Sequence, residues 1–309
     1  MESPEDNGSF PDPPYVERDF EYLGIDLSWR ARISRFGRKI RRRLWRRFTK
    51  FPEEIRYLHY YQDVAKYCAE YSDEIMLRED DFGYRSLRRL AKVAEHLDSV
   101  AGCVWGCRSE DHVIEHIVAR AVNQIQAALL LLRHGFYDES LVMTRGLSET
   151  ANLLFLLAND TAERKAWLSS TPSQRSRHFG PARVRGKIES LDLPIPVDRE
   201  TYSDLSELFA HPAPAVRPGM YNELGRPMSA ALQPMGMILA LNELSVPAAW
   251  TLASVVPLLH FRGTPLGHEL VESSIDLLKS IGSVGLKNSN LDIGEDDASY
   301  DVQVQPSSD

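Results

Sequence analysis

The stretch Asp111–Ala158, DHVIEHIVARAVNQIQAALLLLRHGFYDESLVMTRGLSETANLLFLLA, decides the fold. Ile114, Ile117, Val118, Ala121, Ile125, Ala128, Leu129 and Leu132 recur at steps of three and four, the spacing of one face of an α-helix. From Ala127 to Leu132 the run is apolar all round, which suits a helix end wrapped on every side. Gly135 stands where a left-handed residue would end that helix, and a second apolar run extends from about Tyr137 to Ala158. The expected fold is therefore all-α, a multi-helix bundle built around a central antiparallel helical hairpin.

The second helix carries an exception to its own pattern. Arg145, Ser148, Glu149 and Asn152 share one side, with Leu141, Val142 and Leu156 above and below them. A solvated face would continue as a polar stripe, whereas a charge cluster bounded by apolar residues predicts partial burial and a need for partners. Arg four residues before Glu is also the less favourable order for an exposed helical pair. A structural network between helices and a ligand site are both consistent with this pattern.

Outward from the hairpin, residues 52–284 read as one helical domain. Before it, apolar stripes run from Pro52 to about Leu77 and from Leu87 to about Gly106. After it, Asp160 is placed to cap a short helix through Trp167, and Arg199–Ala210 forms a helix that stops at His211-Pro212. Three further apolar stretches follow, Met228–Leu244, Val246–Phe261 and Pro265–Ile281, with Ser245 before Val246-Pro247 and Thr264 before Pro265 as start signals. Proline and charged residues interrupt them, so no run reaches the ~18 residues needed to span a bilayer.

The ends differ from this body. Residues 1–27 and 285–309 are acidic and expected to be disordered. Residues 28–51 are expected to form a basic amphipathic helix, in which Ser28–Lys50 holds Arg41, Arg42, Arg43, Arg46 and Arg47 among its cations and no acid. The whole chain carries a net charge of −8, which argues against bulk affinity for nucleic acid and leaves a basic arm on an acidic body. Such an arm can bind RNA, lie on an anionic membrane surface, or dock on a protein partner or its own domain. Arg175, Arg177, Arg183 and Arg185 form a second basic cluster, read as a solvated face or a phosphate-binding patch. Three cysteines and no apolar leader in the N-terminal residues suggest a reducing, cytoplasmic setting.

Two motifs invite chemistry. His112-Val-Ile-Glu115-His116 has the H-x-x-E-H form of one class of zinc peptidases. Helical phase, however, puts both histidines opposite the apolar stripe. Cys103 and Cys107 with His112 and His116 offer zinc-type ligands at a spacing unlike a standard finger, and the cysteines read instead as small apolar residues ending a core helix. Neither metal nor cofactor is expected. Arg89–His96 and Arg262–His268 match an R-x(4–6)-H ribonuclease spacing, about as often as composition gives by chance.

The segment from Leu131 to Glu149, an apolar helix, a Gly-aromatic turn and then R-x-x-x-E, resembles the core of an uncharacterised bacterial helical family compared with HEPN-like and abortive-infection proteins. Tyr202-x-x-Leu-Ser-x-x-x-x-His-Pro212 and the aromatic and basic residues Trp167 and Phe179–Arg185 extend the resemblance. It covers roughly Ala121 to Pro214. It implies a helical bundle and matches Arg145, Glu149 and His211 as candidate catalytic positions. The functional expectation is RNA binding or metal-independent RNA cleavage, with Arg145 on a phosphate, Glu149 orienting it and His211 as acid or base. The alternative is a non-enzymatic interaction protein whose basic helix docks on a partner or membrane.

Overall fold

Ten α-helices and one π-helical turn, with no strand, make up the regular structure among the described residues. The computed structural model describes residues 56–76, 82–107, 112–211 and 234–281. The basic segment, both acidic ends, and with them Arg41, Arg42, Arg43, Arg46 and Arg47, lie outside the described residues.

Helices α1 (Arg56–Met76), α2 (Phe82–Ala101), α3 (Val113–Arg133) and α4 (Tyr137–Asn159) precede three short ones, α5 (Thr161–Ser169), α6 (Pro172–His178) and α7 (Pro181–Ser190). Then come α8 (Arg199–Asp204), the π turn Leu205–Ala210, α9 (Pro234–Leu258) and α10 (Pro265–Lys279). One core joins α1–α4 with α9 and α10. A smaller cluster of Leu156, Val184 and Ile188 fastens α7 to the far end of α4.

Of the stripe read from the sequence, Ile114, Val118, Ala121, Ile125, Ala128 and Leu132 are buried on α3 and Ile117 and Leu129 half-buried, while Leu130 is 58% exposed, so the end of α3 is not wrapped on every side as expected. Gly135, at φ 82°, ends it. Phe136 N–H donates to Leu131 C=O at 2.9 Å and Gly135 N–H to Leu132 C=O at 3.1 Å, the paired bonds of a Schellman motif. The chain re-enters α4 at once, and buried Ser140 donates to Ala128 C=O at 3.0 Å, tying the two helices side to side. Asp160 accepts from Ala162 and Glu163 N–H at 2.8 and 2.9 Å and starts α5 as expected.

The C-terminal third corrects the sequence reading. Two expected helices are one: α9 runs from Pro234 to Leu258 straight through Ser245 and Pro247. Ser245 does not cap; its hydroxyl donates back to Leu241 C=O at 2.7 Å. Pro247 removes one backbone bond, but Leu241, Leu244, Ala248, Ala249 and Leu252 are fully buried, and that burial outweighs the lost bond. Because α9 is continuous, it is long and apolar enough to cross a membrane. Yet 78% of its apolar window is buried within the bundle, where it packs on α2, α3, α4 and α10, so it serves here as a core helix. The centre of the bundle is thus shared by α4 and α9, which make the most extensive helix contact.

Helix α10 begins as its signals indicate, with Thr264 Oγ1 accepting from Gly267 N–H at 3.0 Å and Pro265 in the first turn. Gly267 is required by a close approach: a Cβ there would lie 2.1 Å from Phe261 C=O, a backbone atom that cannot swing aside. Gly267→Ala is expected to destabilise the protein by about 3 kcal/mol, the upper part of the overpacking range. Urea denaturation reads this as a lower midpoint at unchanged slope.

Candidate functional site

Asn152, buried in the polar cluster on α4, anchors the site. Its carboxamide grips the chain ahead of α8 at two points: Nδ2 donates to Val197 C=O at 2.9 Å, and Oδ1 accepts from Val197 N–H at 3.0 Å. Asp198 follows directly and caps α8 by accepting from Thr201 N–H at 2.7 Å. The clamp and cap deliver Tyr202 and Ser206, one turn apart, onto the Arg145 face of α4.

There the four side chains close a ring of hydrogen bonds. Arg145 Nε donates to Ser206 Oγ at 2.8 Å and Nη2 to Tyr202 OH at 2.7 Å. Tyr202 OH donates to Glu149 Oε1 at 2.7 Å, and Glu149 Oε1 also pairs with Arg145 Nη2 at 3.3 Å. Ser206 Oγ donates onward to Tyr202 C=O at 2.8 Å. Burial pushes the Tyr202 phenol above its usual range, and its hydrogen bond to the Glu149 carboxylate adds to this. Tyr202 is therefore a neutral donor at physiological pH and not a base.

A second guanidinium completes the site. Arg185, on α7, lies with Cζ 4.4 Å from the centroid of the Tyr202 ring, and Arg145 Cζ lies 5.0 Å from the same centroid. Arg185 is only 8% exposed, and its Nη1 is enclosed with no hydrogen-bond partner. Desolvation pulls its guanidinium below the usual arginine range, although an arginine remains charged at neutral pH. Glu149 is the carboxylate hydrogen-bonded into this cluster, while Glu189 and Arg199 act on Arg185 through their charge alone.

The expected sites divide accordingly. Arg145 and Glu149 come together as the sequence reading required, while Ser148 turns away and donates to Thr144 C=O within its own helix. Arg185 departs from the expected basic surface cluster: Arg177 and Arg183 are exposed, Arg175 is bonded to Ser170 C=O, and Arg185 points inward. Two residues apart on a helix means about 200° of rotation, so Arg183 and Arg185 cannot share a face. His211 follows the π turn. Its N–H donates to Ser206 C=O at 2.9 Å, but its exposed side chain makes no hydrogen bond, ion pair or ring contact with Arg145 or Glu149. Of the H-x-x-E-H residues, Glu115 is buried, His116 is exposed and His112 precedes α3 in a left-handed conformation, φ 50°.

The sequence reading put Tyr202 and Ser206 in the helix Arg199–Ala210 and in the resemblance motif but assigned them no role. The π turn Leu205–Ala210 that follows is itself a departure from the expected α-helix, of the kind that gathers at functional sites. An open cleft of about 430 Å³ between α1 and the end of α3, lined by Lys66, Glu70, Arg133 and His134 among others, includes no residue of this network. Its Arg133 is already held by Asp73 in a two-bond ion pair.

No family model matches the chain, and neither the curated proteins nor the solved structures give a match.

Proposed function

We propose that the protein binds RNA through its phosphates, in the manner of a HEPN-like helical bundle that includes the α3–α4 antiparallel hairpin, with Arg145 and Arg185 as the anion-holding pair. The observation that carries this reading is Arg185: a buried guanidinium with an enclosed, unpartnered N–H beside a second guanidinium. Leaving a buried guanidinium N–H without an acceptor is costly, and a phosphate oxygen would supply that acceptor together with negative charge. Because Nη1 is enclosed, binding would turn Arg185 off the Tyr202 ring. Glu149 and Tyr202 would hold Arg145 in register, and the basic segment 28–51 would add salt-dependent affinity.

Binding ranks ahead of cleavage in this reading. Cleavage needs an acid or base at the phosphate, and His211, the candidate for that role, is not joined to the Arg145 network. A second reading is favoured by a different observation. The Arg145 Nε and Nη2 donors are already satisfied inside the chain by Ser206, Tyr202 and Glu149, as a purely structural network in a non-enzymatic interaction protein would have it.

Fluorescence anisotropy of a labelled single-stranded oligoribonucleotide across a salt series separates the two. Under the first reading wild-type affinity falls with salt. Arg145→Ala then weakens binding about tenfold and lowers the salt slope by about one, as the loss of one phosphate contact should. A wild type that binds no RNA, or an unchanged Arg145→Ala in folded protein, leaves only the structural reading.

A further inference from the structure

Cys103, Cys107 and His112 converge between α2 and α3. One ligand atom from each, two sulfurs and a ring nitrogen, lies within 4.8 Å of the other two. Cys103 Sγ is 3.5 Å from His112 Nδ1. Tetrahedral zinc, with Zn–S of about 2.3 Å and Zn–N of about 2.0–2.1 Å, sets sulfur and nitrogen ligands about 3.6 Å apart and two sulfurs about 3.8 Å apart. The Cys103–His112 spacing already matches, and the other two pairs are no more than 4.8 Å apart.

The backbone supplies an independent observation. Helix α2 ends at Ala101, earlier than its sequence suggests, and Cys103 turns to φ 53°. Gly106, at φ 91°, donates to Cys103 C=O at 2.9 Å and folds Cys107 back toward Cys103. His112 has φ 50°. Two of the four non-glycine residues with positive φ among the described residues are thus members of this one trio. Left-handed backbone is disfavoured for such residues and persists where the surroundings impose it, as at ligand clamps. Cys107 is exposed and Cys103 half-buried, so neither acts as the core residue that its place at a helix end suggested.

We propose that Cys103, Cys107 and His112 bind one zinc ion, with water in the fourth position, and that the metal fastens the end of α2 to the start of α3. The two thiols bind as thiolates, each releasing its proton to solvent, and His112 binds through a neutral ring nitrogen. His116, exposed with its ring centroid 6.4 Å from that of His112, stands one turn beyond the trio.

The full chain, reduced with a phosphine and stripped with chelator, is titrated with Co²⁺ and then with Zn²⁺. One equivalent of Co²⁺ is expected to give a sulfur-to-cobalt charge-transfer band and intense visible bands of a tetrahedral site, and Zn²⁺ is expected to remove both. Cys103→Ser and Cys107→Ser should each lose most of the charge-transfer signal, while Cys68→Ala, at a buried thiol outside the trio, should keep it. Absence of charge transfer in wild-type protein with all three thiols titratable overturns the site, and that result does not depend on the folding of any variant. Full signal in Cys103→Ser or Cys107→Ser overturns it equally, as does a wild type in which these two cysteines pair as a disulfide and bind no cobalt after reduction.

Discussion

Asn152→Ala is expected to lower stability by about 4 kcal/mol, because it strands two buried backbone groups at once and each unsatisfied group costs roughly 1–3 kcal/mol, with the lost packing added. The groups are the N–H and C=O of Val197, itself buried, and both are hydrogen-bonded to the Asn152 carboxamide. The effect should also be felt beyond Val197. Val197 leads directly into the Asp198 cap of α8, and α8 carries Tyr202 to Arg145. In a urea titration the midpoint should fall strongly, and the tyrosine environment should change with it. A loss below about 1 kcal/mol would mean that water or a local shift satisfies Val197, since ordered water can replace such a bond. The clamp would then not be what positions the site.

Arg185→Met is expected to act in the opposite direction on the ligand-free protein. Methionine fills similar space without carrying a charge out of water, and replacing a buried ionic group by a packed apolar one is often neutral or stabilising by about 1–4 kcal/mol. The lost stacking on Tyr202 offsets roughly 1 kcal/mol of that. The net expectation is a protein as stable as the wild type or more stable by about 1 kcal/mol, with its response to anionic ligand gone. If Arg185 were only a strut between α7 and α8, methionine would instead destabilise the fold and leave no ligand response to lose.

How much of this could be read beforehand depends on the range of each interaction. The helices α3 and α4 and the turn between them follow from local signals, a periodic stripe and a left-handed glycine, and the structure keeps both. Arg145 and Glu149 stood out because apolar neighbours bracket them on their own helix. Their partners did not, because Tyr202 and Ser206 lie 57 and 61 residues from Arg145 in sequence and reach it only through the Asn152 clamp. Arg185 was grouped with Arg183 by proximity in sequence. Its actual direction was encoded in Val184 and Ile188, the buried residues beside it on the same turn of α7. The break expected at Ser245-Pro247 failed for the converse reason: a local stop signal yields when the surrounding helices bury every side of the segment. The cysteine and histidine trio was visible as residue types, but its spacing fits no standard pattern, and only the left-handed turns at Cys103 and His112 bring it together.

The central claim is that Arg185, beside Arg145, holds a donor for an anion that the chain's own residues leave without an acceptor. Thermal melting in increasing oligoribonucleotide tests it most directly, since a ligand that binds only the folded state raises Tm with concentration. Wild-type Tm should climb with the ligand while that of Arg185→Met stays flat from an equal or higher starting point. An unmoved wild-type Tm, or an equal climb in both proteins, would contradict the claim.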